Sequence, residues 1–436
     1  MPKPSYENEA HTITCLPPEA LIPSPNNART HSERQLQQIA NSIQQFGFLN
    51  PVLVDEGNMI IAGHGRVTAA KLLGLKTVPT MQFRHLTETQ KRAYILADNK
   101  LAEKAGWDKD ILAIELQNLL VIDDSFDVSI TGFEMPEIDL LLIGDAPVEN
   151  DPDGVVPNLE DTAITQPGDL WQLGQHMLYC GNALLSESYQ TLLGTQKAHI
   201  VFTDPPYNVP INGHVCGTGK IKHREFAMAN GEMSEDEFTT FLEKSFKQLA
   251  AYSHSGSIHY ICMDWRHMAQ IIAAGNKSYT ELKNLCVWNK NNGGMGTLYR
   301  SKHELVFVFK NGKAPHTNNV ELGKHGRYRT NVWNYPNGTR ANLEMHPTVK
   351  PVSLIADALL DCSKRNNIVL DPFGGSGSTL IAAERVGRKA YLMELDPLYV
   401  DTIIRRWKNI TSQQAVHQAT GKTFEQLEAE ALHEQP

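Results

Sequence analysis

The chain has 436 residues, enough for about two or three domains, and its 40 Lys and Arg against 49 Asp and Glu give a net charge of −9. Apolar residues make up 41%, sufficient for buried cores, and a uniformly acidic protein of this kind would bind nucleic acid poorly. The charge is not uniform, however, because residues 111–196 hold 15 acids and no Lys or Arg, whereas residues 281–350 have a net charge of +7. The deficit therefore belongs to one segment and does not exclude a nucleic-acid partner.

The sequence also indicates the cellular compartment in which the protein is expected to work. No stretch approaches the ~18 apolar residues of a membrane span, and residues 1–14 lack the apolar stretch of a signal peptide. The six cysteines are scattered without a C-x-x-C pair, which argues against a zinc site and a disulfide framework. We therefore expect a reduced, cytoplasmic protein that uses neither a metal nor a membrane.

Residues 11–108 are predicted to form a small α+β unit. Ser32 and Gln35 form a capping box at the start of a helix that Gly47 ends, and Thr87 with Gln90 caps another. Short strands are predicted at 52–54, 59–62 and 77–83, with a helix through Leu73 between the last two.

A glycine-flanked turn opens that middle helix. Gly63-His64-Gly65-Arg66, with Ala97 to Lys100, resembles the corresponding segments of ParB/sulfiredoxin-like domains. Such a turn can hold an anion, and Arg66 can pair with phosphate, so these four residues are a candidate anion or nucleotide site. His64 stands near the position where the sulfiredoxin version has a cysteine, so redox activity is not expected. A docking module without a ligand is the alternative.

The segment 109–168 is predicted to be an acidic helical connector, with a solvated linker over its later part, 145–168. From 169 to 412 strands and helices alternate, which predicts a doubly wound, mainly parallel α/β sheet. The strands expected here include 198–203, 257–262, 284–288, 305–309, 367–370 and 389–394. Residues 413–436 are predicted to be a polar tail with a frayed helix, and His417 to be isolated and exposed.

The first motif with chemical content is Asp204-Pro205-Pro206-Tyr207, directly after an apolar strand. A carboxylate at a strand's carboxyl end lies where α/β proteins bind ligands. The two prolines remove N–H groups and stiffen the turn, so its carbonyls are free to accept hydrogen bonds. The pattern suits a planar group that bears an amine, and an ordinary Pro-Pro turn is the alternative.

The second motif, residues 369–379, follows a strand and opens a helix, as a glycine-rich ligand loop requires. It lacks the Lys of a phosphate-binding P-loop and does not match G-x-G-x-x-G. Glu394 ends the next strand, where a carboxylate meets ribose hydroxyls, and Asp371 can receive a cationic amine. A ligand with a ribose and an ammonium group but no phosphate fits S-adenosylmethionine.

With both motifs on one segment, residues 169–412 resemble the amino-methyltransferases of DNA. The DPPY motif precedes the glycine-rich loop, and this permuted order resembles the β group of these Rossmann-like enzymes, with Asn182 standing where the family usually has Asp. The resemblance implies Asp204, Pro205, Pro206 and Tyr207 as catalytic residues. It implies cofactor binding by Asp371, Phe373, Gly374, Gly375, Ser376, Gly377, Ser378, Thr379, Glu394, Thr348, Lys350, Asn182 and Ala183, with Thr348 and Lys350 facing the cofactor carboxylate.

The basic region 281–350 is the candidate DNA-binding surface. Lys, Arg and Asn among Tyr and Trp suit contacts with phosphates and base edges, and the resemblance places target recognition at about 311–343. A solvated basic face is the alternative. The candidate residues are Lys290, Arg327, Tyr328, Arg329 and Asn331.

The hypothesis is a site-specific DNA methyltransferase of a restriction-modification type, acting on the N6 amine of adenine with S-adenosylmethionine as cofactor. The partner is double-stranded DNA with the target base flipped out, and the β group implies a homodimer. Cytosine N4, an RNA or protein methyltransferase, and a ParB-like DNA-binding or nucleotide-switch protein with an inactive methyltransferase half remain as alternatives.

Overall fold

The structure is a computed structural model that describes residues 12–122, 126–143, 156–157, 159–208, 231–291, 293, 298–321, 328–336 and 349–433. The chain divides into two compact units, Met1–Gly144 and Asp145–Pro436, which have separate cores. Among the described helices, none combines the length and apolar character needed to cross a bilayer.

The first unit is a small α+β fold, as predicted. Its elements are β1 (Ile13–Leu16), α1 (Glu33–Phe46), β2 (Val52–Val54), β3 (Ile60–Ala62), α2 (His64–Leu72), β4 (Val78–Gln82), α3 (Glu88–Lys104), α4 (Lys109–Ile122) and α5 (Met135–Ile143). The strands lie in the order β1-β4-β2-β3, and only β2 and β4 pair in parallel. Thr87 and Gln90 make the predicted reciprocal box, whereas at Ser32 only half of the predicted box forms: Ser32 accepts from the Gln35 amide, and Gln35 Oε1 lies 3.0 Å from His31 Nδ1.

Helices α4 and α5 come from the acidic segment and have a core of their own. Leu116, Val128 and Ile138 are buried together between them. The helical part of the predicted connector is therefore a folded helix pair rather than an extended spacer. The structure does not describe most of the first half of the predicted linker, since residues 144–155 and 158 lie outside the described residues.

The second unit is built on one ten-stranded sheet in the order β11-β9-β10-β8-β7-β12-β13-β6-β5-β14. Its strands are β5 (Leu170–Leu173), β6 (His176–Cys180), β7 (Ala198–Thr203), β8 (Ser253–Met263), β9 (Glu281–Asn289), β10 (His303–Lys310), β11 (Val332–Asn334), β12 (Ile368–Asp371), β13 (Lys389–Glu394) and β14 (Ala415–His417). Its helices are α6 (Ser186–Leu193), α7 (Glu235–Ala251), α8 (Met268–Ser278), α9 (Val352–Cys362), α10 (Ser378–Arg385), α11 (Pro397–Thr411) and α12 (Phe424–His433).

The centre of this sheet has the predicted parallel, Rossmann-like arrangement. Strands β8, β7, β12, β13 and β6 pair in parallel, and antiparallel strands extend the sheet on both sides. The central strands are apolar on both faces because helices cover both sides of a parallel sheet, and β7 is buried at five of its six residues. All five parallel strands therefore present their carboxyl ends at one edge of the sheet.

The prediction of a polar tail after residue 412 was wrong. β14 pairs antiparallel with β5, and α12 places the buried Phe424 against Trp171. His417 is only 8% exposed, and its Nε2 lies 3.2 Å from Asp169 Oδ1. A three-residue strand with few apolar neighbours is too short to show a periodic pattern in the sequence. Its stability comes from the sheet edge that it joins.

Candidate active site

Three neighbouring strands bring acidic side chains to one edge of the large sheet. Asp204 follows β7, Asp371 ends β12 and Glu394 ends β13. These strands are parallel and adjacent, so their carboxyl ends meet, as expected for the ligand-binding edge of an α/β fold. The DPPY motif and the glycine-rich loop, distant in sequence, thus form one site.

Asp371 connects the two motifs. Its Oδ1 accepts from the Thr203 hydroxyl at 2.8 Å and from the Phe373 amide at 3.1 Å, and its Oδ2 accepts from the Thr379 hydroxyl at 2.6 Å. Burial raises the pKa of Asp371 to about 7. These hydrogen bonds join the glycine-rich loop to β7 and α10, and the predicted contact of Asp371 with a cationic amine stays a prediction.

The glycine-rich loop runs from Gly374 to Gly377 between β12 and α10. Gly377 has φ of 80°, a conformation that favours glycine, and a Cβ there would lie 3.0 Å from Ile403. Gly375 also has positive φ, at 51°, and the nearest atom to a Cβ built on it is 4.0 Å away. The loop is therefore closed against α11 on one side and open at Gly375.

Glu394 holds the loop from the neighbouring strand. Its Oε2 accepts from the Gly375 amide at 2.8 Å and its Oε1 from the Asp396 amide at 2.9 Å. Burial raises the pKa of Glu394 to about 7. Asn182 and Ala183 follow β6, which pairs with β13, and Asn182 Oδ1 accepts from the Leu184 amide at 2.9 Å. These predicted cofactor residues thus share the edge with the loop.

Arg406 supports the loop from behind. This α11 side chain is 1% exposed, and its guanidinium donates to the Ser376 carbonyl at 2.9 Å and to the Ser378 hydroxyl at 3.1 Å. Sequence analysis did not identify Arg406. Its one available signal was an arginine between the apolar helical positions Ile403 and Trp407.

Replacing Arg406 by methionine is expected to weaken ligand binding at the loop about tenfold. The loop loses charge-assisted hydrogen bonds that contribute ~1.5–3 kcal/mol, and solvent and repacking of the side chains recover part of that free energy. Isothermal titration with the ligand proposed below measures the loss. Arg405→Met is the matched control, because Arg405 pairs with Glu428 at 2.7 Å on the other side of α11. Equal losses in the two variants would contradict the bracing role.

The DPPY turn forms a compact charged pocket. Tyr207 donates its hydroxyl to Asp204 Oδ1 at 2.5 Å, and Lys350 Nζ lies 2.5 Å from Asp204 Oδ2. Burial raises the pKa of Asp204, although the ammonium of Lys350 opposes the shift. Lys350 also lies 2.9 Å from Glu304, a residue that sequence analysis missed because a single acid at the start of an apolar strand carries no motif.

Lys350 has two carboxylate partners in the structure, and its predicted contact with the cofactor stays a prediction. The resemblance implied that it faces a cofactor carboxylate, whereas its ammonium contacts Asp204 and Glu304. Its predicted companion Thr348 lies outside the described residues, as does Arg327 of the candidate DNA-binding set. Pro205 is buried, and Pro206 is half-buried beside it.

The candidate DNA-binding residues fall into different environments. Tyr328 is 84% exposed, and Asn331 is exposed with its amide donating to the Leu285 carbonyl at 3.2 Å. Lys290 contacts Glu304 and lies 4.8 Å from the centroid of the Trp288 ring. Arg329 is held by Asp361 at 3.0 Å and Asp357 at 3.3 Å on α9, so its guanidinium already has two carboxylate partners within the protein.

Replacing Arg329 by methionine is accordingly expected to destabilise the second unit by about 2 kcal/mol or more, because the largely buried Asp361 loses its guanidinium partner. The salt dependence of DNA binding should change little. Thermal denaturation and binding titrations at several salt concentrations measure the two effects. A weaker salt dependence with unchanged stability would instead assign Arg329 to a phosphate.

The predicted anion turn lies in the first unit. Gly63 has φ of 105°, which favours glycine at this position, and His64 Nε2 accepts from the Ser24 amide at 3.2 Å. Burial lowers the pKa of His64, which keeps the ring neutral. Arg66 lines a cleft of about 540 Å³ together with residues of α1 and the segment 130–132.

Comparison with known families finds three matching models. A DNA methylase model of the N6/N4 type matches residues 198–405, and a ParB N-terminal domain model matches residues 3–100. A ParB-methyltransferase helix-turn-helix domain model matches residues 110–167. The last match adds a helix-turn-helix family to the segment for which the sequence predicted only an acidic connector.

Individual proteins resemble each part. The ParB-like nuclease domain-containing protein YnaK of Escherichia coli is 48% identical over 85 residues, 20% of this chain and 98% of that protein. The type II methyltransferase M.HinfI of Haemophilus influenzae is 28% identical over 236 residues, 49% of this chain and 64% of that protein. The crystal structure of an M1.HpyAVI–SAM complex matches 52% of this chain and 97% of that chain, with 20% identity and a TM-score of 0.41.

Proposed function

We propose that this chain, in which residues 198–405 match the N6/N4 DNA methylase family and residues 3–100 match the ParB N-terminal domain, transfers a methyl group from S-adenosylmethionine to the N6 amine of adenine in DNA. The hydrogen bond between Thr203 and Asp371 is the observation that carries the proposal. It fixes the carboxylate of the DPPY turn beside a glycine-rich loop with no phosphate-binding lysine. Asp rather than Ser before Pro-Pro-Tyr favours adenine, by resemblance within the family.

The loop and its surroundings fit S-adenosylmethionine. The Glu394 carboxylate lies at the loop, where it can accept from ribose hydroxyls, and the backbone at Gly375 is open to an approaching ligand. Half-buried Phe373 offers an apolar face for the adenine ring. When bound, S-adenosylmethionine would supply an electrophilic methyl group to a neutral amine nitrogen, and the broken S–C bond would leave its electron pair on the thioether of S-adenosylhomocysteine.

The DPPY turn prepares the target amine. We infer that Asp204 and the Pro205 carbonyl accept its two N–H groups, which raises the electron density on the nitrogen that forms the new bond to carbon. Pro205 and Pro206 have no N–H, so the turn offers acceptors without competing donors. The proton that the amine loses passes to Asp204, whose pKa burial raises, and then to water. Tyr207 stacks on the base.

The substrate we propose is duplex DNA. The target amine is paired and stacked inside a duplex, so the base has to leave the helix to reach Asp204. The +7 region 281–350 supplies the positive charge that binds the phosphates, with target recognition at about 311–343. We further propose a homodimer, which light scattering at several protein concentrations tests directly.

We assign the parts of the chain as follows. Residues 11–108 form the ParB-like domain, with an anion site at Gly63–Arg66, and residues 109–168 connect it to the methyltransferase domain, 169–412. The C-terminal residues 413–436 complete the edge of the sheet through β14. The relative with 98% of its length matched corresponds to the ParB-like part alone, which is consistent with this part being a separate module.

Single-molecule sequencing of DNA from cells that express the protein tests the proposal, with cells that express Asp204→Asn as the control. We expect N6-methyladenine in one sequence context, present only with the wild type. N4-methylcytosine would overturn the adenine assignment. An unmodified genome together with methylated RNA or protein would overturn the assignment to DNA.

A further inference from the structure

A row of alternating charges leads away from Asp204, and the proposed reaction uses only its first member. Lys350 Nζ lies 2.5 Å from Asp204 Oδ2 and 2.9 Å from Glu304 Oε2, and Lys290 Nζ contacts Glu304 Oε1. The four groups come from the turn after β7, the segment before α9, the start of β10 and the end of β9. Two negative and two positive charges therefore alternate and cancel.

Burial makes each member of this row depend on the next. The side chains of Lys350 and Glu304 are 5% and 11% exposed, so neither charge can be stabilised mainly by water. Burial would raise the pKa of Glu304, but the ammonium groups of Lys350 and Lys290 outweigh it and lower the pKa to about 2. The two ammonium groups thus favour the ionised form of Glu304 beside the catalytic pocket.

Each oxygen of Asp204 already accepts a hydrogen bond. Lys350 donates to Oδ2 and the Tyr207 hydroxyl donates to Oδ1. A target amine competes with these donors for Asp204, and the Tyr207 hydroxyl already lies 3.5 Å from Glu304 Oε2. Glu304 therefore offers an alternative acceptor to the tyrosine and a second counterion to the lysine.

We propose that Glu304 is a positioning residue for methyl transfer, which holds the Lys350 ammonium and receives the Tyr207 hydroxyl so that an oxygen of Asp204 becomes available to the target amine. This inference rests on the proposed function. Without the negative charge of Glu304, Lys350 pairs with Asp204 alone, and the carboxylate becomes a weaker acceptor for the amine.

The substitution Glu304→Gln tests the proposal because it keeps the shape and removes the charge. We expect kcat to fall about 10- to 100-fold, the range seen when a group that orients an active-site ligand is lost. The KM for S-adenosylmethionine and the melting temperature should remain near wild type. The control is Glu243→Gln, which should leave kcat unchanged, since Glu243 lies on α7 outside the region 281–350 and pairs with Lys247 at 2.7 Å and Lys277 at 2.8 Å.

A double-mutant cycle with Lys350→Met separates positioning from an independent role. If Glu304 acts through Lys350, the double variant should be no slower than Lys350→Met alone. Wild-type kcat in Glu304→Gln, fully multiplicative effects in the double variant, or loss of S-adenosylmethionine binding in Glu304→Gln would each overturn the proposal. A wild-type protein that methylates no DNA would instead overturn the proposed function, so the two failures are distinguishable.

Discussion

Substitution of Asp204 by asparagine should lower kcat for methyl transfer by about 10³-fold or more, with the affinity for S-adenosylmethionine almost unchanged. The amide cannot accept the amine proton and presents one acceptor oxygen instead of two. The cofactor site should survive because the glycine-rich loop is held by Asp371, Glu394 and Arg406 through hydrogen bonds that do not involve Asp204. Single-turnover methyl transfer to duplex DNA measures the effect.

The control for this prediction is Asp264→Asn. Asp264 follows β8, which pairs in parallel with β7, so its carboxylate lies at the same edge of the sheet. It accepts from the Arg266 amide at 2.9 Å and contacts no residue of the DPPY turn in the described structure. Comparable losses in the two variants, or a fully active Asp204→Asn enzyme, would contradict the role assigned to Asp204.

Substitution of Glu394 by glutamine should weaken S-adenosylmethionine binding about 10- to 100-fold, because hydrogen bonds to an ionised acceptor contribute ~1.5–3 kcal/mol. The carboxylate accepts from the Gly375 amide and, in the proposed complex, from the ribose. Glutamine can accept with only one oxygen and carries no charge. Isothermal titration calorimetry gives the affinity directly, and Glu430→Gln, which removes an exposed partner of Lys422, is the control.

The affinity for S-adenosylmethionine should depend on pH in a direction that the pKa of Glu394 determines. Burial raises the pKa of this carboxyl to about 7, so in the free protein it is protonated below that pH. Ribose hydroxyls favour the ionised form, so the affinity for S-adenosylmethionine should rise with pH through about 7, with proton release on binding below it. Burial also raises the pKa of Asp371 to about 7, so this carboxyl contributes to the pH dependence of the affinity as well. Glu394→Gln should therefore reduce the pH dependence, and an unchanged pH profile would contradict the assignment.

Local signals in the sequence predicted the elements that position the site. The apolar run 198–203 forms β7 with the predicted bounds, since a strand buried on both faces needs such a run. The S-x-x-E spacing of Ser234 and Glu237 is another local signal, since the two side chains make a reciprocal cap and the helix begins at Glu235. These features depend on neighbouring residues only, so spacing along the chain is enough to find them.

The contacts that define the pocket could not be predicted in the same way. Lys350 and Asp204 are 146 positions apart, and family resemblance alone placed the lysine at the cofactor. Arg406 reaches the loop from the apolar side of α11, where an arginine looks like an exception to the helical pattern. Glu304 becomes significant only when β9, β10 and the DPPY turn are assembled, because its partners come from other elements.

Methyl transfer to adenine N6 is tested most directly by incubating the purified protein with duplex DNA and S-adenosylmethionine that carries a deuterated methyl group. Mass spectrometry of the digested nucleosides then locates the label. We expect the deuterated methyl group in N6-methyladenine with the wild type and almost none of it with Asp204→Asn. Label in N4-methylcytosine, or equal labelling of adenine by the two proteins, would contradict it.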